Sequence, residues 1–203
     1  MKNGKMVGIM GGTFNPIHNG HLILAQKAYE QLGLDKVLFM PSGNSYMKRN
    51  VLDSKERAHM VAIAISKHPA FELSLIEVQR SGNTYTFETL EILTASNPDT
   101  HYYFIMGADS LFQIESWNNP ERIFALATLV CTVRDDYDMD AIKEKGKTLS
   151  NLGADIVFLD IPKIAISSTD IRKRVQHNMP ISEYVPLEVA EYIKEEHLYY
   201  EKD

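Results

Sequence analysis

Two histidines, three positions apart, stand in a glycine-containing turn near the start of the chain. His18 and His21 belong to the stretch GTFNPIHNGH, with Gly20 between them. An i, i+3 spacing puts both imidazoles on one side of a helical turn, so both rings can approach one ligand. Imidazole N–H groups donate to phosphate oxygens. The turn therefore predicts a phosphate-binding site.

Two further glycines precede this turn. Gly11 and Gly12 end an apolar run, where backbone amides can approach a phosphate closely. The spacing matches neither of the two common phosphate loops, because the Gly-x-Gly-x-x-Gly order and the Lys-Ser/Thr pair are both missing. Each histidine taken singly is typical of helix capping, and the pair could also supply two metal ligands. No Cys or Glu nearby completes a tetrahedral set, so no protein-held metal is predicted.

A second chemistry-bearing segment, ISSTDIR, covers residues 166–172. Ser168 or Thr169 is predicted to cap a helix whose first amides face outward. Arg172 lies one turn into that helix, and its guanidinium can bind a phosphate through two parallel N–H groups. An ordinary helix cap explains the hydroxyl residues as well, and capping is compatible with phosphate binding.

Strand-like and helix-like segments alternate along the chain and must position these two clusters. The predicted strands cover residues 5–12, 36–42, 71–78, 101–107, 127–133 and 155–160. The predicted helices cover residues 19–33, 53–68, 86–96, 109–117, 120–126, 137–151, 168–177 and 186–197. This alternation predicts an α/β fold, a Rossmann-like three-layer sandwich with a mostly parallel central sheet. Ligands bind at the carboxyl ends of strands in such sheets, which is where the glycine-histidine turn begins.

Composition limits the class of protein. The 203 residues suffice for one sizeable core, and no repeat or linker divides them, so a single domain over 1–203 is predicted. A net charge of −6 argues against a nucleic-acid partner, although a local basic cluster can still attract an anionic small molecule. No segment is apolar for long enough to cross a membrane. The single Cys131, in an apolar run, is predicted to be buried, and the lack of a disulfide fits a cytoplasmic location.

The motifs resemble those of a known family. GGTFNPIHNGH and ISSTDIR together are similar to the two signatures of the nucleotidyltransferase superfamily that carries a His-x-Gly-His motif. SGNTYTFETL, FIMGADSL, IESWNNPERI and VCTVR are similar to segments of bacterial nicotinate-mononucleotide adenylyltransferases, so the resemblance covers nearly the whole chain. It implies transfer of the adenylyl group of ATP to nicotinate mononucleotide, with Mg²⁺ accompanying ATP. The predicted partners are therefore these two small molecules.

The resemblance also implies roles for single residues. Catalysis would involve His18, His21, Lys48 and Arg172. The ATP-binding residues would be Gly11, Gly12, Thr13, Phe14, His18, Gly20, His21, Gly107, Asp109, Ile166, Ser167, Ser168 and Arg172. The residues for the mononucleotide would be Asn15, Lys48, Thr84, Tyr85, Thr86, Trp117 and Arg134. The C-terminal helices, about 168–203, would complete the ATP site.

Three of these roles are specific. The 84–86 segment would meet the nicotinate carboxylate, Trp117 would stack on the pyridine ring, and Asp109 would lie near ribose or magnesium. Without the resemblance, an ordinary turn and cap explains residues 84–86, a half-buried anchor explains Trp117, and a helix cap explains Asp109. Arg134 then fits a solvated charged loop. The chain departs from the family at Met47, where the common Pro-Pro-His-Lys loop has histidine, but Lys48 keeps the positive charge.

Two alternatives to this function stay open at the level of sequence. One is a sister nucleotidyltransferase acting on nicotinamide mononucleotide, phosphopantetheine or a cytidylyl acceptor. The other is a non-catalytic nucleotide-binding module on the same fold. The C-terminal segment 187–203 fits packing on its own core or on a second copy, so a homo-oligomer is also left open.

Overall fold

A computed structural model describes residues 4–43, 51–132, 139–159, 161 and 166–200. The strands in this part of the chain are β1 (Lys5–Gly12), β2 (Lys36–Pro41), β3 (Phe71–Leu73), β4 (Thr100–Gly107), β5 (Ala127–Thr132) and β6 (Ile156–Leu159). The helices are α1 (Asn19–Leu32), α2 (Ser54–Ile65), α3 (Thr86–Ser96), α4 (Ala108–Gln113), α5 (Pro120–Leu126), α6 (Met139–Asn151), α7 (Ser168–Gln176) and α8 (Leu187–Glu195). A single 3₁₀ turn, Ile114–Ser116, lies between α4 and α5.

The strands form one sheet in the order β3-β2-β1-β4-β5-β6, and every pairing is parallel. Ile9 in the centre of β1 pairs with Leu38 on one side and Phe104 on the other. This arrangement confirms the predicted Rossmann-like fold. The strand order reverses direction between β1 and β4, so a ligand crevice is expected at the carboxyl ends of these two strands.

Both faces of the sheet are covered, because successive side chains of each strand point to opposite sides. Met10 and Ile105 pack with residues of α1, α2, α7 and α8 on one face. Ile9 and Phe104, their neighbours in the chain, pack with residues of α3, α4, α5 and α6 on the other. The two apolar layers leave the strand ends as the place for polar side chains.

Two local predictions were wrong. The strand predicted over 71–78 ends at Leu73, and the next residues form a turn in which the Gln79 amide donates to the Leu75 carbonyl at 2.9 Å. The cap of α7 is Ser167, whose hydroxyl accepts from the Asp170 amide at 3.1 Å, and not Ser168 or Thr169. The reason is that Ser168 is already helical and its hydroxyl donates elsewhere, to the Pro16 carbonyl at 2.9 Å.

The C-terminal helix packs on its own chain. Val189 and Ile193 of α8 are buried in the same apolar cluster as residues of α2, and the Tyr192 hydroxyl donates to Glu56 at 2.6 Å. The core-packing alternative for this segment is therefore observed. Among the residues that the structure describes, none of the helices has the length and apolar character that crossing a bilayer requires.

Candidate active site

A cleft of about 870 Å³ opens at the carboxyl ends of β1 and β4, where the strand order reverses. Its volume lies in the range typical of small-molecule sites. Both sequence clusters contribute to its walls: His18 and His21 from the early turn, and Ser168 and Arg172 from α7. The site therefore joins segments from the two ends of the chain.

The two histidines lie against each other at the start of α1. His18 is the N-cap residue and is buried, and its ring stacks on that of His21 with centroids 3.7 Å apart. The His18 backbone amide donates to Nδ1 of His21 at 3.2 Å. Because Nδ1 accepts this bond, a neutral His21 carries its proton on Nε2. His21 thus presents an N–H donor from Nε2, while the edge contact with Phe14 at 5.0 Å fixes its ring.

The chain approaches this turn through a constrained backbone. Phe14 has a φ of 49°, in the left-handed region that bulky residues rarely adopt. A Cβ at Gly12 would lie 3.1 Å from the Phe14 ring, and one at Gly11 would lie 3.2 Å from the Phe104 ring. These two glycines therefore give space to aromatic rings beside the cleft. At Gly107 a Cβ would meet nothing within 4 Å, although this residue lines the cleft.

Helix α7 contacts the early turn directly. Arg172 donates through Nη1 to the Asn15 carbonyl at 2.7 Å and through Nη2 to the Thr169 hydroxyl at 3.3 Å. The Arg172–Asn15 and Ser168–Pro16 bonds join residues about 150 positions apart. A guanidinium has five N–H donors, so these two bonds leave it three for other acceptors. Arg172 can therefore hold the turn and bind an anion at once.

The other end of the cleft is formed by the start of α3 and the residues after β4. Tyr85 is the N-cap residue of α3 and makes no side-chain cap bond, and it lines the cleft with Thr84 and Thr86. The positive end of this helix is suited to a carboxylate. Trp117 is half-buried, with its ring perpendicular to that of Phe104 at 6.1 Å.

All the predicted site residues in the described ranges line this cleft, except Gly20. Gly20 is instead buried in the first turn of α1. Lys48, Met47 and Arg134 lie outside the described residues.

Asp109 is exposed and follows Gly107, the N-cap residue of α4, so it does not cap that helix itself. Cys131 is buried, as predicted, and this burial raises the pKa of its thiol to about 12.

Sequence reasoning missed Arg57 in α2. Its side chain is 2% exposed and donates to four main-chain carbonyls: Thr13 at 2.6 Å, Ser42 at 2.7 Å, Leu52 at 2.9 Å and Gly43 at 3.0 Å. It joins the turn after β1 to the end of β2 and to the segment before α2. A signal existed, because Arg57 shares the apolar face of α2 with buried residues at positions 60, 61 and 64.

Glu77 was also missed. Its carboxylate accepts from the hydroxyls of Thr89 at 2.9 Å and Thr84 at 3.2 Å, beside the predicted carboxylate-binding segment. Burial raises the pKa of Glu77, and the hydrogen bonds from Thr89, Thr84 and Gly43 and the charge of Arg80 only partly oppose this. The carboxylate thus joins the end of β2 to the start of α3. No sequence pattern marked it, since it lay in an alternating run.

Comparison with known proteins agrees with this geometry. The model of the cytidylyltransferase-like family matches residues 9–174. A probable nicotinate-nucleotide adenylyltransferase of Lachnoclostridium phytofermentans is 43% identical over 192 residues, which cover 93% of this chain and 96% of the relative. One of Lactiplantibacillus plantarum is 41% identical over 201 residues, covering 98% of this chain and 90% of the relative. The chain belongs to the nicotinate-nucleotide adenylyltransferase family.

Solved structures support the fold assignment. Nicotinic acid mononucleotide adenylyltransferase of Plasmodium falciparum, complexed with NaAD, superposes with a TM-score of 0.80 at 22% identity. The alignment covers 96% of this chain and 97% of that one. The family membership confirms the resemblance carried by the two signatures, and it identifies the chain as a nucleotidyltransferase.

Proposed function

We propose that this protein transfers the adenylyl group of ATP to the 5′-phosphate of nicotinate mononucleotide, giving nicotinate adenine dinucleotide and pyrophosphate. One observation carries the assignment of this chemistry to the cleft. The histidine turn and α7 line the same cleft, and Arg172 of α7 is bonded to the Asn15 carbonyl of that turn at 2.7 Å. The similarity to relatives with this name supports the choice of substrates.

The reaction needs positioning more than acid-base chemistry. The acceptor phosphate is already an anion near neutral pH, and one of its oxygens attacks the α-phosphorus of ATP. The bond from the α-phosphorus to the bridging oxygen breaks, and pyrophosphate leaves with the electron pair. Two unit charges 4 Å apart repel by about 4 kcal/mol at the effective dielectric of a protein surface. Fixed donors must offset that repulsion.

The donors are available in the cleft. We assign His18 and His21 to the α-phosphate and the departing oxygen, since both residues line the cleft and the proton of a neutral His21 lies on Nε2. Arg172 and the backbone amide of Ser168, in the first turn of α7, would hold the pyrophosphate end together with Lys48. In this proposal α7 and the chain that follows it complete the ATP site. The start of α3 would receive the nicotinate carboxylate, with Trp117 against the pyridine ring.

The donor set fits a magnesium ion that arrives with ATP. In the described part of the chain, no three His, Cys, Asp or Glu side chains are grouped to hold a metal by themselves. Asp109, exposed at the cleft, can contribute a carboxylate oxygen. Mg²⁺ is usually held by one or two carboxylates together with substrate phosphates. When bound, the ion would neutralise part of the triphosphate charge.

The test is incubation with ATP or CTP and a panel of acceptors, with products identified by mass. Nicotinate mononucleotide, nicotinamide mononucleotide and phosphopantetheine are each offered with Mg²⁺. We expect the dinucleotide from ATP and the acid mononucleotide, with a lower kcat/KM for the amide because it lacks the carboxylate. Equal values for acid and amide would contradict the role of α3. Product from phosphopantetheine alone, or binding without turnover, would contradict the proposed function.

A further inference from the structure

One of the last described residues of the chain, Tyr199, contacts a residue that lines the cleft. The Tyr199 hydroxyl lies 2.9 Å from Oδ1 of Asn15, a residue 184 positions earlier. The path there is sharply bent, since His197 and Tyr199 have left-handed φ angles of 50° and 68°. The Leu198 amide, which donates to the Ile193 carbonyl at 3.0 Å, ties the bend to α8. Non-glycine residues adopt such angles where the surroundings hold them.

The contact with Tyr199 fixes the orientation of the Asn15 amide. The Leu52 backbone N–H also reaches Oδ1 of Asn15, at 3.4 Å, and a backbone N–H can only donate. The oxygen of the amide must therefore face Leu52, and the Tyr199 hydroxyl must be a donor. The NH₂ group is the remaining polar part of this side chain. Asn15 is 6% exposed and lines the cleft.

Asn15 stands where the two signatures meet. Its carbonyl accepts from Arg172, and the next carbonyl, of Pro16, accepts from Ser168. Burial raises the pKa of Tyr199, while the nearby guanidinium groups of Arg172 and Arg57 lower it. Burial is the larger cause, so the phenol keeps its proton near neutral pH and acts as a donor.

We propose that Tyr199 is a positioning residue for the nucleotide site. Its hydroxyl holds the oxygen of the Asn15 amide so that the amide NH₂ group donates to a phosphate of bound substrate. The inference rests on the function proposed above, because it assigns a phosphate ligand to this cleft. It adds that the C-terminal tail must be docked before the site is complete.

The experiment compares Tyr199→Phe with wild type and with Tyr200→Phe. Tyr200 is the matched control, since it is the next residue, is also partly buried and packs against the same apolar cluster. Tyr199→Phe removes only the hydroxyl, so we expect kcat/KM to fall about tenfold, the effect of one lost hydrogen bond. The thermal midpoint without ligand should be close to that of Tyr200→Phe. Wild-type kcat/KM in Tyr199→Phe would overturn the inference.

A double-mutant cycle separates positioning from simple packing. If Tyr199 acts through Asn15, adding Tyr199→Phe to Asn15→Ala should lower kcat/KM by less than twofold further. A full tenfold loss on that background would overturn the inference, because the hydroxyl would then act independently of the amide.

Failure of the proposed function gives a different result. In that case wild type forms no dinucleotide from any acceptor. Calorimetric titration of the four proteins of the double-mutant cycle (wild type, Tyr199→Phe, Asn15→Ala and the double variant) with ATP and with nicotinate mononucleotide then decides the inference. If Tyr199→Phe weakens ligand binding in the wild-type background but not in the Asn15→Ala background, the inference is supported. Equal affinities in all four proteins would overturn it.

Discussion

At the scale of single residues, the two histidines differ in what each can do. His18 is buried and begins α1, whereas His21 is less buried and has its Nδ1 engaged by the His18 amide. The N–H donor of a neutral His21 therefore lies on Nε2, and the residue lines the cleft. This tautomer suits donation to an oxygen that gains charge in the transition state.

His21→Ala should lower kcat by roughly 100-fold or more, since in the proposed mechanism it removes one transition-state donor. The KM for ATP should change little, because the donation matters most when charge develops on the departing oxygen. Steady-state kinetics with ATP varied at saturating nicotinate mononucleotide measure both constants. His177→Ala, an exposed histidine at the end of α7, is the control variant. Near-normal kcat in His21→Ala would remove the histidine from this role.

Gly107 gives a second prediction for a single residue. A Cβ there meets no atom within 4 Å and the residue lines the cleft, so Gly107→Ala should leave the free energy of unfolding within about 0.5 kcal/mol of wild type. The added methyl group would occupy space needed by a ligand. We expect a raised KM for ATP or the mononucleotide, measured beside urea unfolding. Unchanged KM values would show that no ligand approaches this backbone.

At the scale of elements, the periodic patterns predicted the sheet correctly but made the edge strand β3 too long. The segment 71–78 alternates as a strand does, yet only Phe71–Leu73 joins the sheet. The following turn brings Glu77 inward to Thr84 and Thr89. These partners lie seven and twelve positions away, so their influence on the backbone cannot be seen in an alternating pattern.

The Glu77 carboxylate predicts a pH effect on stability. Its folded-state pKa is raised above the ordinary value of 4.5, so the folded protein binds its proton more tightly than the unfolded chain does. The resulting destabilisation is absent below about pH 4.5, grows as pH rises through the folded pKa, and is then constant. Glu77→Gln has no such proton. The difference in free energy of unfolding, wild type minus Glu77→Gln, should therefore decrease as pH rises above 4.5.

Urea unfolding across a pH series measures this difference. Glu121→Gln, an exposed carboxyl in the first turn of α5, controls for the loss of one negative charge. Parallel stability curves for wild type and Glu77→Gln would show that burial does not govern this carboxyl.

At the scale of the whole molecule, sequence reasoning located residues on both sides of the candidate site but missed Arg57 and Tyr199, which contact its walls. His18, His21, Ser168 and Arg172 carry recognisable types and spacings, and their positions at strand and helix ends follow from the fold class. Arg57 donates to main-chain carbonyls. Tyr199 donates to a side chain 184 positions away. Such partners depend on how loops meet in three dimensions, which residue type and spacing do not encode.

Arg57 tests how far the fold depends on one such connection. Its guanidinium joins three segments through the carbonyls of Thr13, Ser42, Gly43 and Leu52. Arg57→Lys keeps the charge, but a single ammonium cannot span acceptors on opposite sides of the planar group. Each buried carbonyl left without a donor costs about 1 to 3 kcal/mol. We expect the free energy of unfolding to fall by about 3 kcal/mol, and kcat/KM to fall with it because Thr13 precedes the histidine turn.

Arg122→Lys serves as the control, since Arg122 is exposed and pairs only with Glu91 among the described contacts. Urea unfolding and kinetics on both variants distinguish the two sites. In Arg57→Lys, the free energy of unfolding and kcat/KM should fall together, because the same hydrogen bonds stabilise the fold and position the turn after β1. Wild-type stability in Arg57→Lys would contradict this prediction. It would mean that strand and helix contacts alone hold the three segments, without the buried guanidinium.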